Sequence, residues 1–312
     1  MISYKSKIFV TGHKGLVGSA IVRKLKSKGY KNILVADRKK LDLLDQKKVF
    51  QFLKKNKPKF IFLAAAKVGG IYSNNKFKAE FIYQNITMQT NLIHSAFKCN
   101  IKNLIFLGSS CVYPRNCKQP IKEDYLLSGY LEKTNDAYAT AKIAGIKMCQ
   151  SYNQQYGTRY LSLMPTNTYG KNDNYHSLNS HFLPSVIKKT HMIKNSNSKK
   201  FVIWGNGRAK REIIFVDDIA DACVYFMNKK TKHDLINIGT GKEFSINQYV
   251  NKILKILIPN KKIKIVYDKT KPNGTPRKVL NIKIAKSYGW TAKSRFKETI
   301  LETYKNYLKE TR

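Results

Sequence analysis

The sequence predicts an α/β fold: a doubly wound parallel sheet followed by a smaller mixed α/β part that closes over it. Three observations carry this. Strand-like and helix-like segments alternate through the first 165 of 312 residues. The strand segments are short, continuous apolar runs, as expected of strands covered on both faces. The first run ends in a turn punctuated by glycines that opens directly into a helix.

The elements follow in order. Ile8-Phe9-Val10-Thr11 is the first strand, and Gly12-His13-Lys14-Gly15-Leu16-Val17-Gly18 is the turn. A helical pattern over 19–28 stops at Gly29, and a second strand over 33–36 ends at Asp37-Arg38. The third strand, Phe60-Ile61-Phe62-Leu63, runs into Ala64-Ala65-Ala66. A long helix is predicted over 77–97, a strand over 104–107, a helix over 138–156 and a strand over 160–164 that ends at Pro165. Beyond it the periodicity loosens. Residues 171–180 are rich in Asn, Asp, His and Ser and read as a loop. A strand and then a helix are expected over 212–228, with Asp217-Asp218 as helix start, and a turn after a strand over 237–241. This assigns 1–165 to a dinucleotide-binding domain. It assigns 166–312 mainly to a substrate-binding domain, with segments around 212–241 returning to the first.

Composition narrows the function classes. With 42% hydrophobic and 12% aromatic residues the chain can bury a large core. No apolar run approaches the roughly 18 residues that cross a membrane, and no secretory signal precedes the first strand, so a cytoplasmic protein is expected. Lys and Arg number 59 against 19 Asp and Glu, a formal charge of +40. That excess admits a nucleic-acid binder, but the cations are mostly lysines in scattered pairs, as in Lys188-Lys189 and Lys229-Lys230. Solvated surface lysine is the preferred reading, with a field that draws small anions. Five cysteines without a CxxC argue against a disulfide framework and against a metal site.

The glycine turn carries the first chemistry. Gly12, Gly15 and Gly18 allow a tight turn, backbone approach to a pyrophosphate, and close packing of helix on strand, while the helix N-terminus faces the phosphates. This makes the sheet Rossmann-type. Asp37, at the end of the second strand, would take a ribose 2′-hydroxyl and favour NAD; Lys14 and Arg38 suit the 2′-phosphate of NADP. NADP is the expected cofactor.

Tyr138 and Lys142 lie four apart on a predicted helix and so share a face. The adjacent ammonium is expected to lower the tyrosine pKa and ready it for proton exchange with a substrate oxygen. Ser109 ends the fourth strand, where open α/β sheets bind ligands. Together the three predict reduction of a carbonyl.

At this point the chain resembles the extended short-chain dehydrogenase/reductase superfamily. Within it, the chain is similar to the GDP-4-keto-6-deoxy-D-mannose 3,5-epimerase/4-reductases, which form GDP-L-fucose. The resemblance rests on Gly108-Ser109-Ser110-Cys111-Val112-Tyr113-Pro114, on Ala64-Ala65-Ala66-Lys67-Val68-Gly69-Gly70-Ile71 and on Tyr138-Ala139-Thr140-Ala141-Lys142. Pro165-Thr166-Asn167-Thr168-Tyr169-Gly170, Asn179-Ser180-His181 and the stretch 271–278 complete it. It implies a reductase triad of Ser109, Tyr138 and Lys142, and an epimerase pair of Cys111 and His181. It implies NADP contacts along 12–18, 107–110 and 165–168, that is from Leu107, Gly108, Ser109, Ser110, Pro165, Thr166, Asn167 and Thr168, and from Lys142 and His181. It implies a GDP-sugar held by Lys189, Trp204, Arg211 and Lys271, and a homodimer. Lysine replaces the family's usual arginine at Lys14 and at Lys189, where the bidentate fork is lost. The alternatives are a reductase for another GDP-4-keto-deoxy sugar, or a basic nucleic-acid binder on a Rossmann scaffold.

Overall fold

Alternate residues of an apolar strand face opposite sides of a sheet, so a doubly wound sheet needs two cores. The computed structural model, which describes residues 2–176, 180–271 and 274–310, has both. The strands are β1 (Ile8–Val10), β2 (Ile33–Leu34), β3 (Phe60–Leu63), β4 (Asn103–Leu107), β5 (Arg159–Pro165), β6 (Asn167–Tyr169), β7 (Lys200–Trp204), β8 (Lys210–Phe215), β9 (Leu235–Ile238), β10 (Glu243–Ser245), β11 (Lys264–Asp268) and β12 (Arg277–Lys278). The α-helices are α1 (Leu16–Ser27), α2 (Gln46–Asn56), α3 (Ile71–Lys76), α4 (Lys78–Lys98), α5 (Asp136–Tyr156), α6 (Phe182–Lys194), α7 (Val216–Met227), α8 (Ile246–Leu257), α9 (Lys283–Ser287) and α10 (Phe296–Glu310). Ile8, Val10, Ile105 and Leu107 point into a core shared with Ile21 and Leu25 of α1 and Ala220 and Val224 of α7. Phe9, Leu104 and Phe106 point into the other, with Val49 of α2, Leu92 of α4 and Ile146 of α5.

The main sheet has the order β2-β1-β3-β4-β5-β9, with every pairing parallel. The chain steps outward from β1 to β2 and then back past β1 to β3. A crevice therefore opens at the carboxyl ends of β1 and β3, the place where open sheets take ligands. Thr11 fixes it: its hydroxyl donates to the Phe62 carbonyl at 3.3 Å and accepts from Ala64 N and Ala65 N at 3.0 Å. β9 joins this sheet from far along the chain. α7, just before it, lies on α1 through the pairs Arg23–Asp217 at 2.8 Å and Lys24–Asp221 at 2.6 Å.

β8 is the spine of the remaining part, with β6 and β12 parallel to it and β10 antiparallel. β7 and β11 form a separate parallel pair.

Three boundaries differ from expectation. α1 starts at Leu16 rather than at 19, because extended Gly15 serves as its N-cap. β2 pairs only through Ile33 and Leu34, opposite Ile8 and Phe9, and is two residues shorter than expected. Asp217 and Asp218 sit in the first turn of α7, after the N-cap Phe215. Asp218 accepts instead from Lys293 N at 2.9 Å and Ser294 N at 3.3 Å, tying down the approach to α10. Among the described residues no helix is long and apolar enough to cross a membrane, and the five cysteines are free thiols.

Candidate active site

The glycine turn leaves no room for a side chain at Gly12 or Gly18. Gly12 has φ +66°, and a Cβ there would lie 3.0 Å from the Ala64 carbonyl oxygen. A Cβ on Gly18 would collide with the Gly12 carbonyl. α1 has neither a side-chain cap nor an acidic residue in its first turn, so its amides and dipole are left for an anion. The donor set fits a dinucleotide pyrophosphate. Lys14 Nζ lies 3.4 Å from Asp37 Oδ2, and Asp37 also accepts Lys40 N at 3.1 Å. The Lys40 amide and the nearby lysines hold the Asp37 carboxyl below its usual range. Arg38 pairs with Asp42 at 3.4 Å and remains largely exposed.

The residues expected to form a reductase set, Ser109, Tyr138 and Lys142, lie together. Lys142 is buried and donates to the Leu107 carbonyl at 2.8 Å, with its ammonium 4.7 Å from the Phe106 ring centre and 5.9 Å from that of Tyr138. Phe81 meets Tyr138 edge-on, with ring centres 6.4 Å apart. The expected lowering of the tyrosine pKa is not found. Burial, aided by Cys111, pushes the phenol up, while a hydrogen bond with Ser109 opposes it. Burial also pulls Lys142 down to about 7, so its ammonium is a weak counter-charge. Desolvation outweighs proximity here, and Tyr138 stands as a proton donor.

Cys111 follows Ser109 on a short 3₁₀ turn and gives its amide to Ser109 Oγ at 3.2 Å. Its sulfur accepts from Lys278 Nζ at 3.4 Å. Burial alone would raise the thiol; the charge of Lys278, hydrogen bonds from Ser109 and Lys278, and the more distant charge of Arg211 outweigh it, and the net shift is downward. Lys278 reaches the site from β12, which pairs with β8 so that Lys278 faces Arg211. His181 is the N-cap residue of α6. Desolvation by the protein around it, and then the Lys278 charge, lower its pKa. Among the groups around the thiol, Lys278 draws its pKa down most. Sequence reasoning quoted Lys278 within a motif but gave it no role. Only the β8–β12 pairing reveals one.

Of the residues expected to hold the sugar nucleotide, Lys189 and Lys271 gather on Trp204, while Arg211 lies opposite Lys278. Trp204, 51% exposed, lies beneath two ammonium groups, Lys189 at 5.7 Å and Lys271 at 5.8 Å from its ring. Lys189 also donates to the Val202 carbonyl at 3.2 Å. Arg211 donates to the Lys210 carbonyl at 2.8 Å. At the end of β5, Thr166 and Asn167 both donate to the Glu212 carbonyl, at 3.2 and 2.8 Å, and Thr168 bonds back to Thr166 at 3.0 Å. Gly108 N donates to the Leu163 carbonyl at 2.9 Å. Asn179, Pro272 and Asn273, which belong to the recognised motifs, lie outside the described residues.

A phosphate cradle at a sheet crevice, beside a Ser–Tyr–Lys set, defines a dinucleotide-dependent enzyme of the epimerase and reductase kind. The chain belongs to the NAD dependent epimerase/dehydratase family, whose model matches residues 8–239. It is 46% identical over 309 residues to GDP-L-fucose synthase 1 of Arabidopsis thaliana, covering 99% of this chain and 95% of that relative. It is 40% identical over 306 residues to the GDP-L-colitose synthase of Yersinia pseudotuberculosis, covering 97% and 98%. The GDP-mannoheptose C4 reductase of Campylobacter jejuni, solved with NADP bound, superposes with a TM-score of 0.89 at 35% identity, covering 99% of this chain and 100% of that one.

Proposed function

We propose that the protein converts GDP-4-keto-6-deoxy-D-mannose to GDP-L-fucose, epimerising C3 and C5 and then reducing C4 with NADPH. One observation carries the reading: a thiol braced by Lys278 stands two residues from the serine of a reductase set. A plain reductase has no use for a lowered thiol. The 4-keto group acidifies the hydrogens on C3 and C5, and the Cys111 thiolate removes one. Ser109 and Tyr138 hold the oxyanion that develops on O4. His181, from the opposite wall, returns a proton to the other face. The negative diphosphate of the substrate, near Lys278 and Arg211, raises the imidazole pKa toward the form that can do so. NADPH, when bound in the cradle of 12–18 with Lys14 and Arg38 toward its 2′-phosphate, supplies the hydride for C4. Tyr138 then gives O4 its proton, and Lys142 steadies the nicotinamide ribose.

The reading assigns 1–165, with the returning segment 212–241, to the dinucleotide, and the rest of 166–312 to the GDP-sugar through Lys189, Trp204, Arg211 and Lys271. It extends to a cytoplasmic homodimer with no nucleic-acid partner; retention on DNA that vanishes at moderate salt would mark the charge as nonspecific. The deciding experiment supplies GDP-4-keto-6-deoxy-D-mannose and NADPH in D₂O, follows NADPH consumption and identifies the product. GDP-L-fucose carrying deuterium at C3 and C5 is expected. Reduction without deuterium uptake makes the protein a C4 reductase that does not epimerise, and no consumption ends the proposal.

A further inference from the structure

The chain that leaves Cys111 comes back to the strand that carries Lys278. Cys111 lies on the turn after β4, and further along Ile121 pairs in parallel with Leu280, just beyond β12. Two backbone bonds make that pairing: Ile121 N donates to the Val279 carbonyl at 2.8 Å, and Asn281 N to the Ile121 carbonyl at 2.7 Å. The next rung toward Lys278 is made by a side chain. Gln119 Oε1 accepts Val279 N at 2.9 Å, and the amide nitrogen of Gln119 donates to the Cys117 carbonyl at 3.5 Å, so the amide is held at both ends. Gln119 also lines the cavity of about 20 Å³ beside Cys111 and Lys278. The segment 111–119 is thus closed into a ring through adjacent residues: Lys278 Nζ lies on Cys111 Sγ at 3.4 Å, and Val279 N lies on Gln119.

We propose that Gln119 is a positioning residue of the epimerase half: by gripping Val279 it holds the Lys278 ammonium against the Cys111 sulfur. The inference deepens the function proposed above and rests on it for the use of the thiol. A lysine has a flexible four-carbon stem, so the place of its ammonium depends on how firmly its backbone is held. β8 holds β12 through the Lys278–Arg211 register, and Glu212 holds Leu280 N at 2.7 Å. Neither contact reaches the chain that carries Cys111. The Ile121 rungs do, but from further along; Gln119 makes the rung next to Lys278. The charged and titratable groups that act on the sulfur are Lys278, Arg211 from β8 and Tyr138 from α5. Gln119 is uncharged, so its influence on the thiol passes through Lys278.

The test reads the thiol without substrate, which separates it from the test of the function. Alkylation of Cys111 by iodoacetamide is followed against pH by peptide mass mapping in wild type, Gln119→Met, Lys278→Met and the double variant. Gln119→Met keeps the length of the side chain and removes the oxygen, while the Ile121 rungs and the Glu212 contact remain to hold the fold. It should slow alkylation about three- to tenfold at neutral pH and move the profile upward. In the Lys278→Met background it should change the rate by less than about twofold. With substrate, deuterium uptake at C3 and C5 should fall by a similar factor, and reduction of a sugar supplied already epimerised should stay within about threefold of wild type. A wild-type profile in Gln119→Met overturns the proposal. So does an equal slowing with and without Lys278, which assigns Gln119 to the fold at large. If the profile moves and only the Lys278-bearing protein feels it, Gln119 positions Lys278 even where wild type takes up no deuterium; in that case the function alone fails.

Discussion

The two halves of the cleft are built on different principles. The reductase half is local. Ser109 lies two residues beyond β4, Tyr138 and Lys142 share one face of α5, and the Lys142 amine is pinned to the Leu107 carbonyl of the strand beside it. The epimerase half is assembled from afar. Cys111 comes from the turn after β4, His181 from the start of α6 and Lys278 from β12. Its chemistry depends on how one ammonium biases two other groups. The first half is set by geometry and the second by an electrostatic balance, so the two should fail in different ways.

Cys111→Ser is the most severe way to separate them. Replacing a thiol with a hydroxyl that does not ionise near neutrality should cut deuterium uptake at C3 and C5 on the order of 10³-fold. Reduction of a sugar supplied already epimerised should stay within about threefold of wild type. A parallel collapse of reduction would show that the halves are not separable. Tyr138→Phe is the converse, with reduction falling on the order of 10²–10⁴-fold while NADPH still binds. Near-normal turnover would remove Tyr138 from the mechanism.

Lys278→Met tests the balance itself. Alkylation of Cys111 by iodoacetamide should slow several-fold at neutral pH, with its pH profile moved upward, and Lys278→Arg should restore it. His181→Asn should leave that profile in place; an upward move there would return the thiolate to the histidine. A smaller effect is expected at the cofactor. NADPH should show a lower KM than NADH by about tenfold, and Asp37→Asn should change it by less than about threefold, because that carboxylate is already engaged with Lys14 and the Lys40 amide.

The last effect lies outside both halves. Burial raises the Asp173 carboxyl to about 7, and its Oδ2 has no partner. A folded-state pKa above the unfolded one favours the native state fully only below about pH 4, and this contribution disappears as pH rises through 7. Asp173→Asn should therefore raise the Tm at pH 8, by the equivalent of about 4 kcal/mol, and change it little near pH 4.

The same contrast decides what the sequence discloses. Gly12, Gly15 and Gly18, the four-residue step from Tyr138 to Lys142, and Ser109 at a strand end are short-range patterns, and the main sheet follows from the apolar runs before them. Around β8 the strand and the helix after it are legible, but their partners are not: β12 is two residues long, and β7 meets β11 across some sixty residues of chain. The role of Lys278 could not be read for that reason. The direction of the Tyr138 shift was misjudged because spacing reports proximity, while burial, which decides it here, is a property of the whole fold.

Glu212 sets a rule for recombination. Its buried carboxylate accepts Leu280 N at 2.7 Å and Gly241 N at 2.6 Å, and its carbonyl holds Thr166 and Asn167. One residue thus joins the end of β5 through its carbonyl, and the turn after β9 and the exit from β12 through its side chain. A chimera that takes its sugar-binding segments from a relative has to keep these segments in register, or it leaves a buried carboxyl without its donors. Crossovers that keep 165–168, 210–215, 239–241 and 277–280 from one parent leave the knot whole, and those that split them should yield chains that do not fold.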